Sequence, residues 1–251
     1  MRKTILFCLF TLCLILLISE NIFSETTKEK GKKILEEADS TLYPYEGSFN
    51  LYIESKEKNA PLKTYELQCY KKGRKYQTGI WKSPAINLND VGMRSGDVIY
   101  YKPNKWHKPD IMSYQALFMG TGFSWGDVFS SDISEDYFAE EIKEVEEKGK
   151  NYYYLLLKPL KQDLYARIDI WIEKDTFLTY RRIYYTPSGE EIKTAEYKDF
   201  EFKGKRVVGF TVVMEDKVTE SKHKGIVSDI KVEKLPQFLF DPNNISRIRI
   251  K

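Results

Sequence analysis

Residues 120–129 read Gly120-Thr121-Gly122-Phe123-Ser124-Trp125-Gly126-Asp127-Val128-Phe129, and two folds compete for them. Gly122 to Gly126 matches G-x-S-x-G, the pattern that exposes a nucleophilic serine on a sharp strand-to-helix turn in α/β hydrolases. The same residues also spell a glycine turn that opens a short helix. Ser124 would cap it, with Asp127 three residues on at capping-box spacing. Phe118, Met119, Phe123, Trp125, Val128 and Phe129 then make a dense apolar face. On the first alternative the chain is a parallel-sheet enzyme. On the second it carries a plug that packs on a β-sheet and walls an apolar site.

The flanking sequence argues against the enzyme. A nucleophile elbow needs a buried strand before the serine, and then an acid and an oriented histidine later in the chain. Met112 to Met119 is not a β-branched run. His223 lies in Glu220-Ser221-Lys222-His223-Lys224-Gly225, which reads as a solvated charge run with nothing to orient the imidazole. His107 precedes Ser124. No catalytic residue is assigned, and a non-enzyme is predicted. Two histidines and one cysteine in the exported part give no zinc spacing, and Asp127, Asp132 and Asp136 are too far apart for an EF-hand. Glu140, Glu141, Glu144, Glu146 and Glu147 read as a solvated face. No phosphate-binding glycine loop appears, so no metal or cofactor is predicted.

Outside the plug the dominant period is two. Phe49, Leu51 and Ile53 alternate with polar or aromatic neighbours, as do Tyr65, Leu67 and Cys69, and later Ala166, Ile168, Ile170 and Ile172. Gly and charged clusters separate these runs, the signature of antiparallel strands. Arg94-Ser95-Gly96-Asp97 reads as a hairpin turn, and Glu215 to Lys224 as a long one. No strand is followed by a helical pattern of crossover length, so βαβ units are excluded. Roughly ten strands in sequential hairpins follow, and a sheet of that length curls. The predicted fold is mainly β: one large curled antiparallel sheet, a half-barrel, with an N-terminal helix and the plug helix on its concave side. Ile34, Leu35, Ala38 and Leu42 share one face of that first helix, which Thr26 to Glu29 could cap. The candidate ligand-contacting residues are Phe118, Met119, Phe123, Trp125, Val128 and Phe129 of the plug, with Ile168 and Ile170 of the concave rows.

The N-terminus reads as an export signal, with an uncleaved membrane anchor as the alternative. Arg2 and Lys3 precede the apolar run Ile5 to Ile18, and Ser24 offers a small residue for cleavage. Residues 1–24 are assigned to the signal and 25–251 to one domain. Cys8 and Cys13 leave with the signal, so Cys69 cannot form an internal disulfide and reads as a small buried hydrophobe. The net charge is +3 for the full chain. It is spread evenly, which excludes nucleic acid as the main partner. Eighteen tyrosines and fourteen phenylalanines are the stronger compositional signal, because aromatics suit half-buried pleated surfaces. The chain is expected to be periplasmic and soluble.

Several segments together resemble the LolA-like family of outer-membrane lipoprotein-sorting proteins, from about Tyr45 to Arg247. They are Gly92-Met93-Arg94-Ser95-Gly96-Asp97 with Tyr100-Tyr101-Lys102-Pro103, then Met119 to Val128, Ala166-Arg167 with Ile170-Trp171-Ile172, and Leu235-Pro236 with Phe240. Family members often carry Gly-Ser-Asp-Phe-Ser-Tyr-Glu-Asp in the plug. Here Gly122 replaces the first acid and Gly126 the Glu, while Asp127 is kept. The resemblance implies an open half-barrel with a hydrophobic cavity for lipid or lipoprotein acyl chains. It further implies work between two membranes, with inner- and outer-membrane donor and acceptor proteins as partners. A non-catalytic envelope interaction module with a packed core is the alternative.

Overall fold

The computed structural model describes residues 27–57, 60–105, 108–130, 132–162 and 165–250. The predicted export signal with Cys8 and Cys13, the Thr26 end of the predicted capping box, and His107 lie outside them. Helix α1 occupies residues 27–42. Its Ile34, Leu35, Ala38 and Leu42 are all buried, as one-face spacing requires. Pro44 cannot continue the helix, and the chain turns into the sheet.

The sheet has thirteen antiparallel strands. The first six are β1 (Glu46–Lys56), β2 (Lys63–Lys72), β3 (Tyr76–Ser83), β4 (Val91–Ser95), β5 (Val98–Lys102) and β6 (Asp110–Met112). The other seven are β7 (Tyr137–Glu147), β8 (Lys150–Pro159), β9 (Arg167–Glu173), β10 (Thr179–Tyr185), β11 (Glu191–Lys203), β12 (Arg206–Asp216) and β13 (Ser221–Val232). Their order is β6-β5-β4-β3-β2-β1-β13-β12-β11-β10-β9-β8-β7, open at both edges. The chain therefore starts at the centre of the sheet and meanders out to one edge. It then crosses to the opposite edge and meanders back, until β13 pairs with β1. The crossing segment, between β6 and β7, contains the plug. The strands are the predicted hairpins except at this one crossover, which has to pass over a face of the sheet.

The sequence undercounted strands. Gly92 to Ser95 lies within β4, and the turn shrinks to Gly96-Asp97, where Gly96 takes φ 65°. Likewise Glu215 to Lys224 is mostly strand: β12 continues to Asp216 and β13 begins at Ser221. Charged residues hid the β12 and β13 extensions, because a strand covered on one face needs apolar residues at only every second position, whereas in β4 the glycine and the buried Arg94 broke the apolar run.

Burial follows the period of two. One large core fills the concave side and includes Leu35, Phe49, Ile53, Leu67, Trp81, Leu155, Ile168, Ile170 and Phe210. A smaller core lies behind β3 and β4, where Ile80, Val91 and Met93 meet Leu235, Leu239, Phe240, Ile245 and Ile248 of the C-terminal segment. Short 3-10 turns at Gln237–Phe240 and Pro242–Arg247 carry those residues. Strands β3 and β4 are thus packed on both sides. Cys69 is fully buried, and burial pushes its thiol pKa up, as expected for an inert core residue.

Candidate ligand cavity beneath the plug

The plug is helix α2, Trp125–Phe129, with the turn before it. Ser124 caps the helix: its Oγ accepts from the Asp127 N–H at 3.0 Å, and the Asp127 carboxylate accepts from the Ser124 N–H at 2.7 Å. The predicted capping box is therefore present. The turn uses two consecutive left-handed residues, Met119 at φ 52° and Gly120 at φ 67°. Lys63 Nζ donates to the Gly120 carbonyl at 2.8 Å, and the Tyr65 hydroxyl donates to that of Met119 at 3.1 Å, which fixes the turn to β2.

The aromatic side chains of the plug seat on the N-terminal half of the sheet. Phe118 stacks on Trp81 at 5.5 Å and meets Trp125 edge-on at 4.9 Å; Trp125 stacks on Phe129 at 5.6 Å. Gly79 and Gly92 face each other across β3 and β4 and make a dimple for the Phe129 ring. A Cβ on Gly92 would overlap that ring. The glycines at plug positions 122 and 126 have the same kind of cause. At Gly122 a Cβ would fall inside the His223 imidazole, and at Gly126 it would sit 2.9 Å from the Tyr114 carbonyl oxygen. The two acids common in relatives have no space here.

Buried ion pairs tie the crossing segment to the sheet. Arg94 binds Asp136 through two bonds of 2.9 and 3.0 Å, and also reaches Ser130. Lys71 pairs with Asp132 at 2.9 Å. Lys193 pairs with Asp127 at 3.1 Å and donates to the Gly122 carbonyl at 3.1 Å and to Tyr165 at 2.5 Å. Asp39 of α1 accepts from the Ile133 and Ser134 N–H groups at 3.1 and 2.9 Å. Burial, with the like charge of Asp132, pushes the Asp39 carboxyl up to about 7.

His223 corrects the sequence reading. It is buried, and it is oriented. Its Nδ1 lies 2.9 Å from Ser55 Oγ and its Nε2 2.7 Å from Ser221 Oγ. The Gly122 N–H also approaches Nδ1 at 3.4 Å, so Nδ1 accepts and the ring proton sits on Nε2. Burial lowers its pKa, with the Lys193 and Lys63 charges adding to the effect against Asp216 and Glu57. The alternation of β13 carried this signal: positions 221, 223, 225 and 227 all point inward. The imidazole orders the plug turn. The Ser124 hydroxyl is instead engaged by the Asp127 N–H and by Tyr165, which donates to it at 3.2 Å.

Between the plug and the C-terminal half of the sheet lies a cavity of about 100 Å³. Leu42, Leu51, Ile53, Phe123, Val128 and Ile168 wall it, together with Tyr165, Arg182, Tyr184, Tyr197 and Met214. Of the predicted site residues, Phe123, Val128 and Ile168 line this space. Phe118, Trp125 and Phe129 lie in the aromatic stack beside it, Ile170 is wholly buried in the sheet core, and Met119 lies at the rim of the plug. Leu42 and Tyr43 also wall a wider outer cleft of about 670 Å³, bounded by Val207, Ile230 and Val232. Tyr43 packs on Phe49 at 5.1 Å and Phe210 at 5.5 Å, and stands between cleft and cavity. The sequence missed the tyrosines and Arg182, because polar inward residues break an apolar alternation. Among the described residues no cluster has the ligands for a metal ion, and no helix is long and apolar enough to cross a membrane.

A model of an uncharacterized protein family matches residues 94–247. No curated protein matches the chain. Among solved structures, a LolA superfamily protein from Nitrosomonas europaea is 22% identical with a TM-score of 0.76, covering 84% of this chain and 97% of its own. An outer membrane lipoprotein-sorting protein domain from Vibrio parahaemolyticus is 18% identical with a TM-score of 0.73, over 88% and 100% of the two chains. A DUF1329 family protein from Desulfovibrio piger is 18% identical with a TM-score of 0.72, over 87% and 99%. At these identities the likeness establishes the fold: an open, curled sheet of the kind found in lipoprotein-sorting proteins.

Proposed function

The chain belongs to the uncharacterized family whose model spans residues 94–247, and we propose from its LolA-like fold that it is a periplasmic carrier that holds a lipid, or lipoprotein acyl chains, in the space between plug and sheet. The observation that carries this reading is the crossing segment itself. It lays an aromatic plug over the concave face and leaves an apolar cavity behind it, next to an outer cleft at Tyr43. The cavity alone is smaller than the roughly 300–1,000 Å³ typical of small-molecule sites. The plug is therefore in its closed position, and loading displaces it or the Tyr43 gate. The energies permit exchange. An acyl chain of about fifteen methylenes gains roughly 12 kcal/mol at about 0.8 kcal/mol each. Unseating three aromatic side chains of about 150–250 Å² each costs a similar amount at about 25 cal/mol per Å².

The small closed cavity favours a second reading, an envelope module with a packed core that binds a protein partner. Native mass spectrometry of the protein purified from cell envelopes separates the two. Copurifying lipid, or saturable binding of a fluorescent alkyl probe, is expected for a carrier. A lipid-free protein that ignores such probes would favour the packed-core module.

A further inference from the structure

Arg182 stands apart from the other cations buried on the concave side. Arg94, Lys71 and Lys193 each have a carboxylate within 3.1 Å. Arg182 is 9% exposed, walls the cavity, and forms no ion pair among the described residues. Its Nε is buried without a hydrogen-bond partner. The nearest acid whose field reaches it is Asp39, but both Asp39 oxygens already accept backbone N–H groups. The guanidinium packs on the Tyr197 ring face, 5.0 Å from the ring centroid, and beside the Tyr184 side chain two residues along β10, while the Asp127 and Asp136 carboxylates on the same cavity wall are held by Lys193 and Arg94. Arginine cannot shed its charge, and an unpaired buried charge is unfavourable. Register fixes the inward direction, since Arg182 lies between Ile170 and Ala195, both fully buried core residues.

We propose that the cavity is a head-group site for a carboxylate-bearing amphiphile such as a free fatty acid, with the carboxylate seated on Arg182 beside the Tyr184 hydroxyl and the alkyl chain running along the apolar wall. A guanidinium fork matches a carboxylate in geometry and charge. One cation calls for one negative charge, and a cavity of about 100 Å³ suits a carboxylate and its first methylenes better than a bulky head group. Tyr197 lies 6.2 Å from Phe210, and Phe210 5.5 Å from Tyr43, so an aromatic row runs from the arginine to the outer cleft and gives the chain its path. The inference rests on the carrier reading and narrows it: acyl chains linked to a lipoprotein as esters or amides have no carboxylate to offer.

The test compares ligands that share one alkyl chain. Binding of palmitate, hexadecanol and hexadecyl phosphate is measured by calorimetry on the exported protein, above the carboxylate pKa range. Palmitate should bind about tenfold or more tightly than hexadecanol. Arg182→Gln should bring palmitate down to the affinity of hexadecanol on the same variant, and Arg182→Lys should restore part of the difference. The wild-type comparison stands even if a variant fails to fold. Equal binding of palmitate and hexadecanol would overturn the carboxylate site and leave the carrier reading intact. A preference for hexadecyl phosphate over palmitate would reassign the site to a phosphate head. Failure of all three ligands to bind would remove the carrier reading itself.

Discussion

The two halves of the sheet use the same alternation to opposite ends. In β2–β5 the inward positions hold Leu67, Gly79, Trp81 and Gly92, and the plug closes on them as a dry aromatic stack. A second core behind β3 and β4 stiffens that half. In β9–β13 the inward positions hold Ile168, Arg182, Tyr184 and Tyr197, which face the plug across a cavity, with Lys193 and His223 reaching the plug turn at its edge. One half is a seat and the other a wall. Packing on two faces stiffens β3 and β4, while the wall covered on one face holds polar groups at the cavity.

The sharpest test sets one arginine against the other. Arg94→Ala takes away the two-bond partner of buried Asp136 and leaves it only the half-buried Lys161 at 3.2 Å, and should cost about 3–5 kcal/mol in urea unfolding. Arg182→Met removes a buried charge that has no carboxylate partner, and should leave ligand-free stability unchanged or raise it. Similar losses at both sites would erase the contrast between the halves. A middle-sized effect is expected at the dimple. Gly92→Ala overpacks against Phe129 and should cost about 1–3 kcal/mol, while increasing uptake of an alkyl probe as the plug lifts. Loss of stability with no change in uptake would show that the plug does not gate the cavity.

Ser124→Ala removes a helix cap and should lower stability by about 1 kcal/mol. Labelling of wild-type protein by a fluorophosphonate that this variant abolishes would instead restore the nucleophile. A pH-dependent effect is expected at Asp39, where the crossing segment meets α1. Its folded pKa is raised from 3.8 to about 7, so the folded state holds its proton more tightly than the unfolded chain. That contribution is fully present below about pH 4 and is lost as pH rises through about 7. Asp39→Asn should therefore flatten the fall in melting temperature between those limits. An unchanged slope would mean that the carboxyl is ionised throughout.

Much of this was legible in the sequence. The α1 face, the Ser124–Asp127 cap and the inward isoleucines of β9 followed from period and capping chemistry, and they are where those patterns place them. The crossover was not legible, because nothing local says that β6 and β7 lie at opposite edges. The wall of the cavity was not legible either. Arg182 and His223 look solvated when read with their neighbours in the chain, and become buried only when strands distant in sequence close around them. Gly122 shows the same limit from the other side: it reads as a flexible turn residue, whereas its lack of a side chain makes room for a ring 101 positions away.

The pairing of β1 with β13 sets an order of assembly. β1 meets β2 through a local hairpin, whereas its other edge is covered only by the last strand, since Gly47 pairs with Val232. Each half can grow from local hairpins, but the halves join only along this central seam. A chain made or delivered from its N-terminus therefore carries an open strand edge for most of its passage, the feature most prone to wrong partners. Completion of the seam is also the step that brings His223 beneath the plug, so the site is finished only when the sheet is.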